Sequence, residues 1–240
     1  MKKTAIALIA ASALAAPLIA TAAEGDSSQW TGNGELGLAV SKGNTDSETF
    51  VGKLNMLQEN AQWKNAFGAS FLYGKDDDEE NARRYELYGT SGYRLSDRSY
   101  VFGSLRNERD HFTSYEYQWT AAAGYGYEAI KTDATHLTFE IGPGYRWSKL
   151  QDVQDHRNGA IGRGYMDFAT KLTDTTSLID TFLIESGSDN TFLSNVFGLQ
   201  VQMSDALALK AGLETRYNSD VQPGIKKTDN LTTVNVVYGF

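Results

Sequence analysis

The sequence predicts an all-β protein, a 12-stranded antiparallel transmembrane β-barrel, and three observations lead to this fold. Twelve segments alternate apolar and polar side chains with a period of two residues. The connections between these segments are alternately long and short along the chain. The last segment, 229–240, has an apolar face that ends in aromatic residues. A barrel of the bacterial outer membrane needs this combination of a lipid-facing wall, two unequal rims and a last strand that closes against the first.

The first 22 residues have the pattern of a cleaved secretory signal peptide. Lys2 and Lys3 precede an apolar run from 5 to 20, and Ala20-Thr21-Ala22 provides the small residues that a signal peptidase accepts. The run is mostly alanine and contains Pro17, which disfavours a retained membrane anchor. We therefore expect residues 1–22 to be removed and residues 23–240 to form a single exported barrel domain.

Composition excludes several classes of function. The chain has no cysteine, so disulfides, thiolate nucleophiles and cysteine metal sites are ruled out. The net charge of -8 becomes about -10 when Lys2 and Lys3 are lost, which argues against a nucleic-acid partner. Beyond the signal segment, no apolar stretch reaches the ~18 residues of a membrane-spanning helix. We also expect no cofactor.

Each predicted strand is long enough to cross a membrane when tilted, which takes about 9 to 11 residues. The predicted strands are residues 30–41, 48–58, 62–74, 82–95, 99–110, 117–130, 136–149, 160–172, 177–186, 192–203, 207–218 and 229–240. In the seventh, Phe139, Ile141 and Tyr145 oppose Glu140 and Arg146. Aromatic residues gather near the strand ends, as an interfacial girdle requires. The fifth and ninth segments alternate least clearly, so the strand count depends on them.

Connection lengths predict the orientation. Six longer connections, such as SKGNTDS at 41–47 and SDVQPGIKK at 219–227, alternate with five short ones, such as SDR at 96–98. Outer-membrane barrels have long external loops and short periplasmic turns, and an even strand count leaves both termini in the periplasm. A soluble sandwich with Greek-key crossovers would not keep this order.

The final strand predicts how the chain enters the membrane. Tyr238 and Phe240 lie on its outer face and resemble the C-terminal insertion signal of outer-membrane proteins, although Asn235 stands where that signal commonly has glycine. The expected partners are outer-membrane lipids and lipopolysaccharide, the barrel-assembly machinery and periplasmic chaperones. The sequence does not predict an oligomeric state.

Three motifs carry a resemblance to a known family. They are Ser41-Lys42-Gly43-Asn44-Thr45-Asp46, Tyr93-Arg94-Leu95 followed by Tyr100 and Phe102-Gly103, and Gly142-Pro143-Gly144-Tyr145-Arg146. They are similar to the signatures of the YdiY-like family of salt-induced outer-membrane proteins, a domain of unknown function. The resemblance spans almost the whole exported chain. It implies an outer-membrane barrel and a link to salt or envelope stress, and it implies no catalytic residues.

Charged side chains collect on the predicted inner faces. Basic and acidic residues are mixed in this set, which consists of Lys53, Arg84, Glu86, Arg94, Glu128, Glu140, Arg146, Arg163, Asp167, Lys210, Glu214 and Arg216. Twelve strands lie between the barrels that side chains fill and those that leave an aqueous channel. Such charges either line a narrow pore and bias which ions pass, or pair across strands and fill the lumen. We expect a small channel or an envelope-stress barrel with a partly filled lumen. The alternative is a closed structural or surface-binding barrel.

Two weaker readings concern metal binding and catalysis. The acidic residues Asp76, Asp77 and Asp78 suit a divalent cation by their oxygen ligands, but their spacing matches no calcium loop, and a solvated loop is favoured. His111 and His156 each follow an aspartate near the predicted outer mouth, with Ser114 close to His111. An outer-membrane hydrolase is therefore a third reading. No Gly-x-Ser-x-Gly motif supports it, and we expect no enzyme.

Overall fold

A computed structural model describes residues 30–42, 47–76, 79–151 and 155–240, and these form one closed barrel of antiparallel strands. The strands are β1 (Trp30–Lys42), β2 (Ser47–Glu59), β3 (Trp63–Asp76), β4 (Glu79–Arg94), β5 (Ser99–Asp110), β6 (Tyr115–Lys131), β7 (Thr135–Leu150), β8 (His156–Lys171), β9 (Thr176–Gly187), β10 (Thr191–Gln202), β11 (Leu207–Asn218) and β12 (Thr228–Gly239). Each strand pairs with its neighbours in sequence, so the predicted fold class is confirmed. No helix among the described residues is long and apolar enough to span a membrane.

The last strand closes the barrel against the first, as its pattern predicts. β12 pairs with β1 from Asn33 opposite Gly239 to Lys42 opposite Asn230. Two backbone hydrogen bonds of 2.9 Å between Gly32 and Phe240 extend this seam to the final residue. Tyr238 and Phe240 lie on the outer face with their rings 6.5 Å apart. The closed ladder leaves neither β1 nor β12 as a free edge.

The predicted contrast between long and short connections is mostly lost, because the strands continue beyond their predicted ends. β3 extends to Asp76 and β4 begins at Glu79, so most of the acidic stretch belongs to a hairpin. Asp77 and Asp78 lie outside the described residues. The long connection that persists is 219–227, here called the lid loop. We call the barrel end that carries it the loop end, and the end nearest the terminal Phe240 the turn end.

The outer wall is apolar, and the lumen face is polar. Ile141 is 71% exposed and Leu36 is 61% exposed, while on the opposite face of these strands Glu140 and Glu35 are buried. An exposed apolar band of this extent is typical of a transmembrane β-barrel.

Two inward glycines make room for aromatic rings on the lumen wall. A Cβ on Gly68 would lie 2.0 Å from the Tyr88 ring, and a Cβ on Gly126 would lie 2.2 Å from the Tyr100 ring. Each ring therefore lies flat across a neighbouring strand instead of pointing along the lumen axis.

The glycines beside Pro143 allow the backbones of β6 and β7 to approach closely. A Cβ on Gly142 would lie 2.0 Å from the Ala123 carbonyl oxygen, and one on Gly124 would lie 2.2 Å from that of Ile141. Pro143 lacks an amide hydrogen to donate to the ladder, so the contact between the strands is local and steric here. The register of β7 against β8 runs through this segment without a shift.

A polar pair on the outer wall explains the weak alternation of the ninth segment. Asp180 is paired with Phe197 in the ladder and therefore lies on the outer side of the barrel, while Ile179 and Leu183 lie on the lumen side. The Asn195 amide nitrogen donates to the Asp180 carboxylate at 2.6 Å. This hydrogen bond lowers the cost of a carboxylate on an apolar wall.

Candidate functional site in the barrel lumen

Ion pairs cross the lumen in the half nearest the loop end. Arg216 on β11 contacts Glu108 on β5, and its guanidinium also lies 3.2 Å from Glu86 on β4. In the closed strand order β5 and β11 are six strands apart. Since the barrel has twelve strands, Arg216 and Glu108 connect opposite walls.

Further pairs extend this crossing to other strands. Glu214 accepts from Arg84 at 2.6 Å and from Lys53 at 3.2 Å. On the far wall, Arg106 donates to Glu108 at 2.6 Å and to Glu185 on β9 at 2.6 Å. We call the connected set the loop-half network, and it consists of Lys53, Arg84, Glu86, Arg106, Glu108, Arg146, Glu185, Glu214 and Arg216.

An aromatic ring fills the space between the two arginines of this network. The guanidinium carbons of Arg106 and Arg216 lie 4.6 Å and 4.8 Å from the centre of the Phe192 ring. Phe192 is only 1% exposed. Cations over a desolvated ring are attracted by its quadrupole, so Phe192 holds both arginines in the lumen as well as filling it.

Glu185 is an acid of the loop-half network that three side chains share. It accepts from Arg106, from Arg146 at 3.4 Å and from the Thr120 hydroxyl at 3.3 Å. Arg146 also donates to the carbonyl oxygens of Glu185 and Asn190, both at 2.9 Å. The lumen charges are therefore fixed to the backbone of the β9–β10 hairpin and not only to one another.

The turn half of the lumen pairs its charges along the wall instead of across it. Glu128 on β6 accepts from Lys64 on β3 at 3.0 Å, from Arg94 on β4 at 3.2 Å and from Lys131 at 2.9 Å. Arg94 additionally contacts Glu59 on β2. The three cations that contact Glu128 lie on β6 itself or within three strands of it.

Two other acids of the turn half are satisfied in the same way. Glu140 accepts from Arg163 on the next strand and from the Tyr100 hydroxyl, both at 2.7 Å. Glu35 on β1 accepts from Lys210 at 2.8 Å and from the Asn235 amide nitrogen at 3.1 Å. The contacts of Glu35 join β11 and β12 to β1, so the lumen charges reinforce the closing seam. We call these wall contacts the turn-half pairs.

The lid loop folds across the mouth of the barrel at the loop end. The Gln222 amide nitrogen of the backbone donates to the Ser114 hydroxyl at 2.8 Å, and its side-chain amide donates to the Gln151 carbonyl oxygen at 3.0 Å. Ser114 precedes β6, which is five strands from β11 around the barrel. The backbone nitrogen of Asp220 also donates to the Asn190 side chain at 3.1 Å. The loop is thus tied to three other connections.

The structure places the sequence-predicted lumen charges on the inner wall, and nearly all take part in the contacts above. Asp167 is the exception, since it lies 3.6 Å from Nε2 of His136. The sequence reading missed Glu35, Arg106, Glu108 and Glu185, which are all nearly fully buried. Arg106 and Glu108 lie on β5, where outward Asn107 and Arg109 hide the alternation.

Ser114, His111 and His156 are the residues that the sequence offers for catalysis, and the structure describes all three. The Ser114 hydroxyl accepts from the lid loop, and the backbone nitrogen of His111 donates to the Arg83 carbonyl oxygen at 3.1 Å. His156 is exposed at the start of β8. Within the described part of the chain, no three histidine or acidic side chains are grouped as metal ligands.

Comparison with known proteins places this barrel in a family. The family model described as "Protein of unknown function, DUF481" matches residues 34–240. The chain belongs to this family. It is also 26% identical over 215 residues to the uncharacterized protein YdiY of Escherichia coli (strain K12), covering 87% of this chain and 82% of that protein. The resemblance that the sequence motifs indicate is therefore confirmed.

Solved structures similar to this DUF481 barrel share its fold at low sequence identity. The NanC porin has a TM-score of 0.57 at 12% identity, with 85% of this chain and 98% of that chain covered. The translocator domain of the autotransporter NalP from Neisseria meningitidis has a TM-score of 0.52 at 12% identity, with 90% of each chain covered. This likeness shows the outer-membrane barrel fold.

Proposed function

We propose that this protein is an outer-membrane channel for small ions that is closed in the described conformation. The observation that carries the proposal is the loop-half network, in which Arg216 and Glu108 join opposite walls of the barrel and other pairs join strands four and five positions apart. A pair between opposite walls obstructs the lumen, and the same side chains would line a conducting path if the pair separated. Charged rings in a confined lumen select ions by sign.

The lumen is closed by charged side chains, and this supports a channel that can open over a lumen that is permanently filled. Desolvating an ion pair costs several kcal/mol per ion, and replacing buried pairs by apolar residues of similar volume is often neutral or stabilising. A permanent plug therefore gains little stability from arginine and glutamate. Charges that separate and become hydrated give a second, open state that an apolar plug does not have.

The lid loop adds a second closure above the loop-half network. Its hydrogen bonds to Ser114, Gln151 and Asn190 are all made by neutral groups. Each hydrogen bond contributes about 1 kcal/mol, so the lid loop can detach from these residues without unfolding of the barrel. An ion would then have to pass the lid loop and the loop-half network one after the other.

The proposed location is the outer membrane of a bacterium. It is supported by the exposed apolar wall and by the aromatic outer face of the terminal strand at Tyr238 and Phe240. Outer-membrane lipids and lipopolysaccharide would surround the wall, and the barrel-assembly machinery and periplasmic chaperones would deliver the chain. A role under salt or envelope stress remains a prediction of the sequence resemblance.

The decisive experiment measures single-channel conductance of the refolded barrel in a planar bilayer. The test variant is Glu108→Ala with Arg216→Ala, which removes a pair between opposite walls without leaving either charge alone. The control variant is Glu35→Ala with Lys210→Ala, which removes an acid–base pair along the wall. We expect rare, brief openings in the unaltered protein and at least tenfold higher open probability in the test variant. The control variant should stay within about twofold of the unaltered protein.

Folding is checked for every variant by the shift in gel mobility on heating and by circular dichroism. A folded test variant that stays silent would contradict the channel. That outcome would favour the second candidate, a closed structural barrel, which the pairing of acids in both halves of the lumen also supports. Equal conductance of the test and control variants would show that closure does not depend on the loop-half network.

A further inference from the structure

The turn half of the lumen is accessible to water, whereas the loop half is closed. On the lumen face of the turn half, the Asp167 side chain and Tyr88 are each 37% exposed. Lys131, at the rim of this half, is also open to solvent. In the loop half, by contrast, Phe192 and the two arginines beside it are almost fully buried. The lumen of the turn half therefore forms a space, here called the vestibule, that a solute can enter from the turn end while the loop-half network stays closed.

Asp167 is an acid of the vestibule that lacks a strong cationic partner. The other acids of the turn half each accept from a lysine or an arginine. Among the described residues, no lysine or arginine lies within ion-pair distance of Asp167, and its nearest base is His136 at 3.6 Å. Nε2 of His136 lies closer to the Thr138 hydroxyl, at 2.8 Å. Lys64 also acts on Asp167 electrostatically, but its ammonium group is bonded to Glu128 at 3.0 Å. Asp167 therefore presents a weakly compensated acid to the vestibule.

An aliphatic patch adjoins Asp167 on the lumen face. In the ladder Asp167 is opposite Thr181 on β9. Ile179 and Leu183 lie two residues to either side of Thr181 and share its face of the strand. Val196 on β10 is opposite Thr181. All three aliphatic residues are partly exposed. A solute bound at Asp167 would therefore contact aliphatic side chains as well as an acid.

The ring of Tyr88 faces the vestibule from another part of the wall. One face of the ring lies across Gly68, and the hydroxyl donates to the Asn55 side chain at 3.0 Å, so the other face points into the lumen. Tyr88 on β4 is four strands from Asp167 on β8. Asp167 acts electrostatically on the Tyr88 hydroxyl, which places the two residues in the same part of the lumen. The face of a tyrosine ring attracts cations, so a cation near Asp167 is favoured by the ring as well.

We infer that the vestibule binds a small organic ammonium ion. Its charge lies at Asp167, and its carbon atoms contact the Tyr88 ring and the aliphatic patch of Ile179, Leu183 and Val196. A carboxylate alone would serve a hydrated metal ion equally well, whereas the aliphatic and aromatic surfaces favour a cation that carries an apolar body. The site goes beyond the proposed channel for small ions, because it is reached from the turn end and does not require the loop-half network to open.

Isothermal titration calorimetry of the refolded barrel in detergent tests the site, with benzyltrimethylammonium chloride as the probe. We expect saturable binding of the probe that neither benzyl alcohol, a neutral compound with the same ring, nor an equal concentration of sodium chloride displaces. Asp167→Asn should weaken binding roughly tenfold, which lies between the losses expected for an ion pair in water and for one near a protein surface. Asp174→Asn makes the same change in the exposed turn between β8 and β9 and should alter binding by less than about twofold.

Two variants of Tyr88 test the part of the ring. Tyr88→Leu removes the aromatic face and should weaken binding about threefold, whereas Tyr88→Phe keeps the ring and should bind the probe as the unaltered protein does. The shift in gel mobility on heating confirms that each variant is folded.

Three results would overturn the site: no uptake of the probe by the folded barrel, equal binding by Asp167→Asn and the unaltered protein, or benzyl alcohol binding as tightly as the probe. Bilayer recordings test the channel separately, so a silent bilayer with intact binding of the probe would reject the channel alone.

Discussion

The two halves of the lumen contain the same kinds of side chain but connect different parts of the wall. In the loop-half network the longest pairs join strands five and six positions apart, as between Arg84 and Glu214 or Arg216 and Glu108. In the turn-half pairs the partners lie within three strands, as between Lys64 and Glu128. The first arrangement crosses the lumen and the second runs along the wall. Charge content alone therefore does not distinguish the two arrangements, whereas the number of strands that each pair spans does.

The comparison also separates two energetic roles. Across the lumen, Arg216 serves three acids at once, so its loss takes one cation from each of Glu86, Glu108 and Glu214. A pair along the wall has neighbours on adjacent strands that can take over. Breaking a buried pair from one side typically costs about 3 to 5 kcal/mol, whereas losing one of several hydrogen bonds to an acid costs less.

The largest effect is expected from Arg216→Met. This change removes contacts with Glu86, Glu108 and Glu214, together with the cation–π contact with Phe192. We expect the free energy of unfolding to fall by about 3 to 5 kcal/mol, because buried acids are left short of cations. Urea unfolding in lipid vesicles, followed by tryptophan fluorescence, measures it.

The matched change in the turn half is Lys210→Met on the same strand. Its acid, Glu35, keeps the hydrogen bond from Asn235, so the loss should be about half as large. Equal losses for the two variants would contradict the distinction between cross-lumen and wall pairs. A smaller loss for Arg216→Met would reverse it.

Most of the fold could be predicted because a membrane wall imposes a strict two-residue period. Strands with clean alternation, such as β7 and β12, are found within about two residues of their predicted ends. The period reports only which face a side chain occupies. It does not report how far a strand continues past the membrane, which is why the hairpin of Asp76 and Glu79 was expected to be a long loop.

The candidate site could be predicted only in part, for the same reason. Inward position was visible for residues such as Glu140 and Arg146, but the partner across the lumen depends on barrel geometry and has no signature in sequence. Arg106 and Glu108 were missed because polar residues occupy both faces of β5 near its end. The contacts of Asp220 and Gln222 in the lid loop depend on three distant connections. No local pattern encodes them.

The closing seam gives the second test of the comparison. Asn235→Ala removes one donor from Glu35 and leaves Lys210 in place. We expect a loss of about 1 to 2 kcal/mol in unfolding free energy, with unchanged conductance, because the wall is weakened and the loop-half network is untouched. Thr233→Ala, on the same face of β12, is the control and should cost less. A rise in open probability for Asn235→Ala would show that the turn half also gates the lumen.

The lid loop is expected to give a smaller effect, and this effect is on channel opening instead of on stability. Ser114→Ala deletes the acceptor for the Gln222 backbone nitrogen. We expect the open probability to rise about fivefold, which corresponds to one neutral hydrogen bond of about 1 kcal/mol, with little change in unfolding free energy. Single-channel recording measures the rise. Ser104→Ala, on the lumen face of β5 away from the lid loop, is the matched control.

The smallest effect is expected at the rim of the turn half, where Lys131 is 48% exposed as it pairs with Glu128. Glu128 is 1% exposed, but Lys131 is open to solvent, so the pair is screened in part when salt shortens the Debye length to about 3 Å at 1 M. The coupling energy between Lys131 and Glu128, from a double-mutant cycle with Lys131→Gln and Glu128→Gln, should therefore fall between 0.1 M and 1 M salt. The coupling energy between Arg106 and Glu185 should change little over the same range, because both side chains are almost fully buried. If both couplings weakened together, water and ions would have access to the loop-half network even in the closed barrel, and the ion pairs across the lumen would be a hydrated filter instead of a seal.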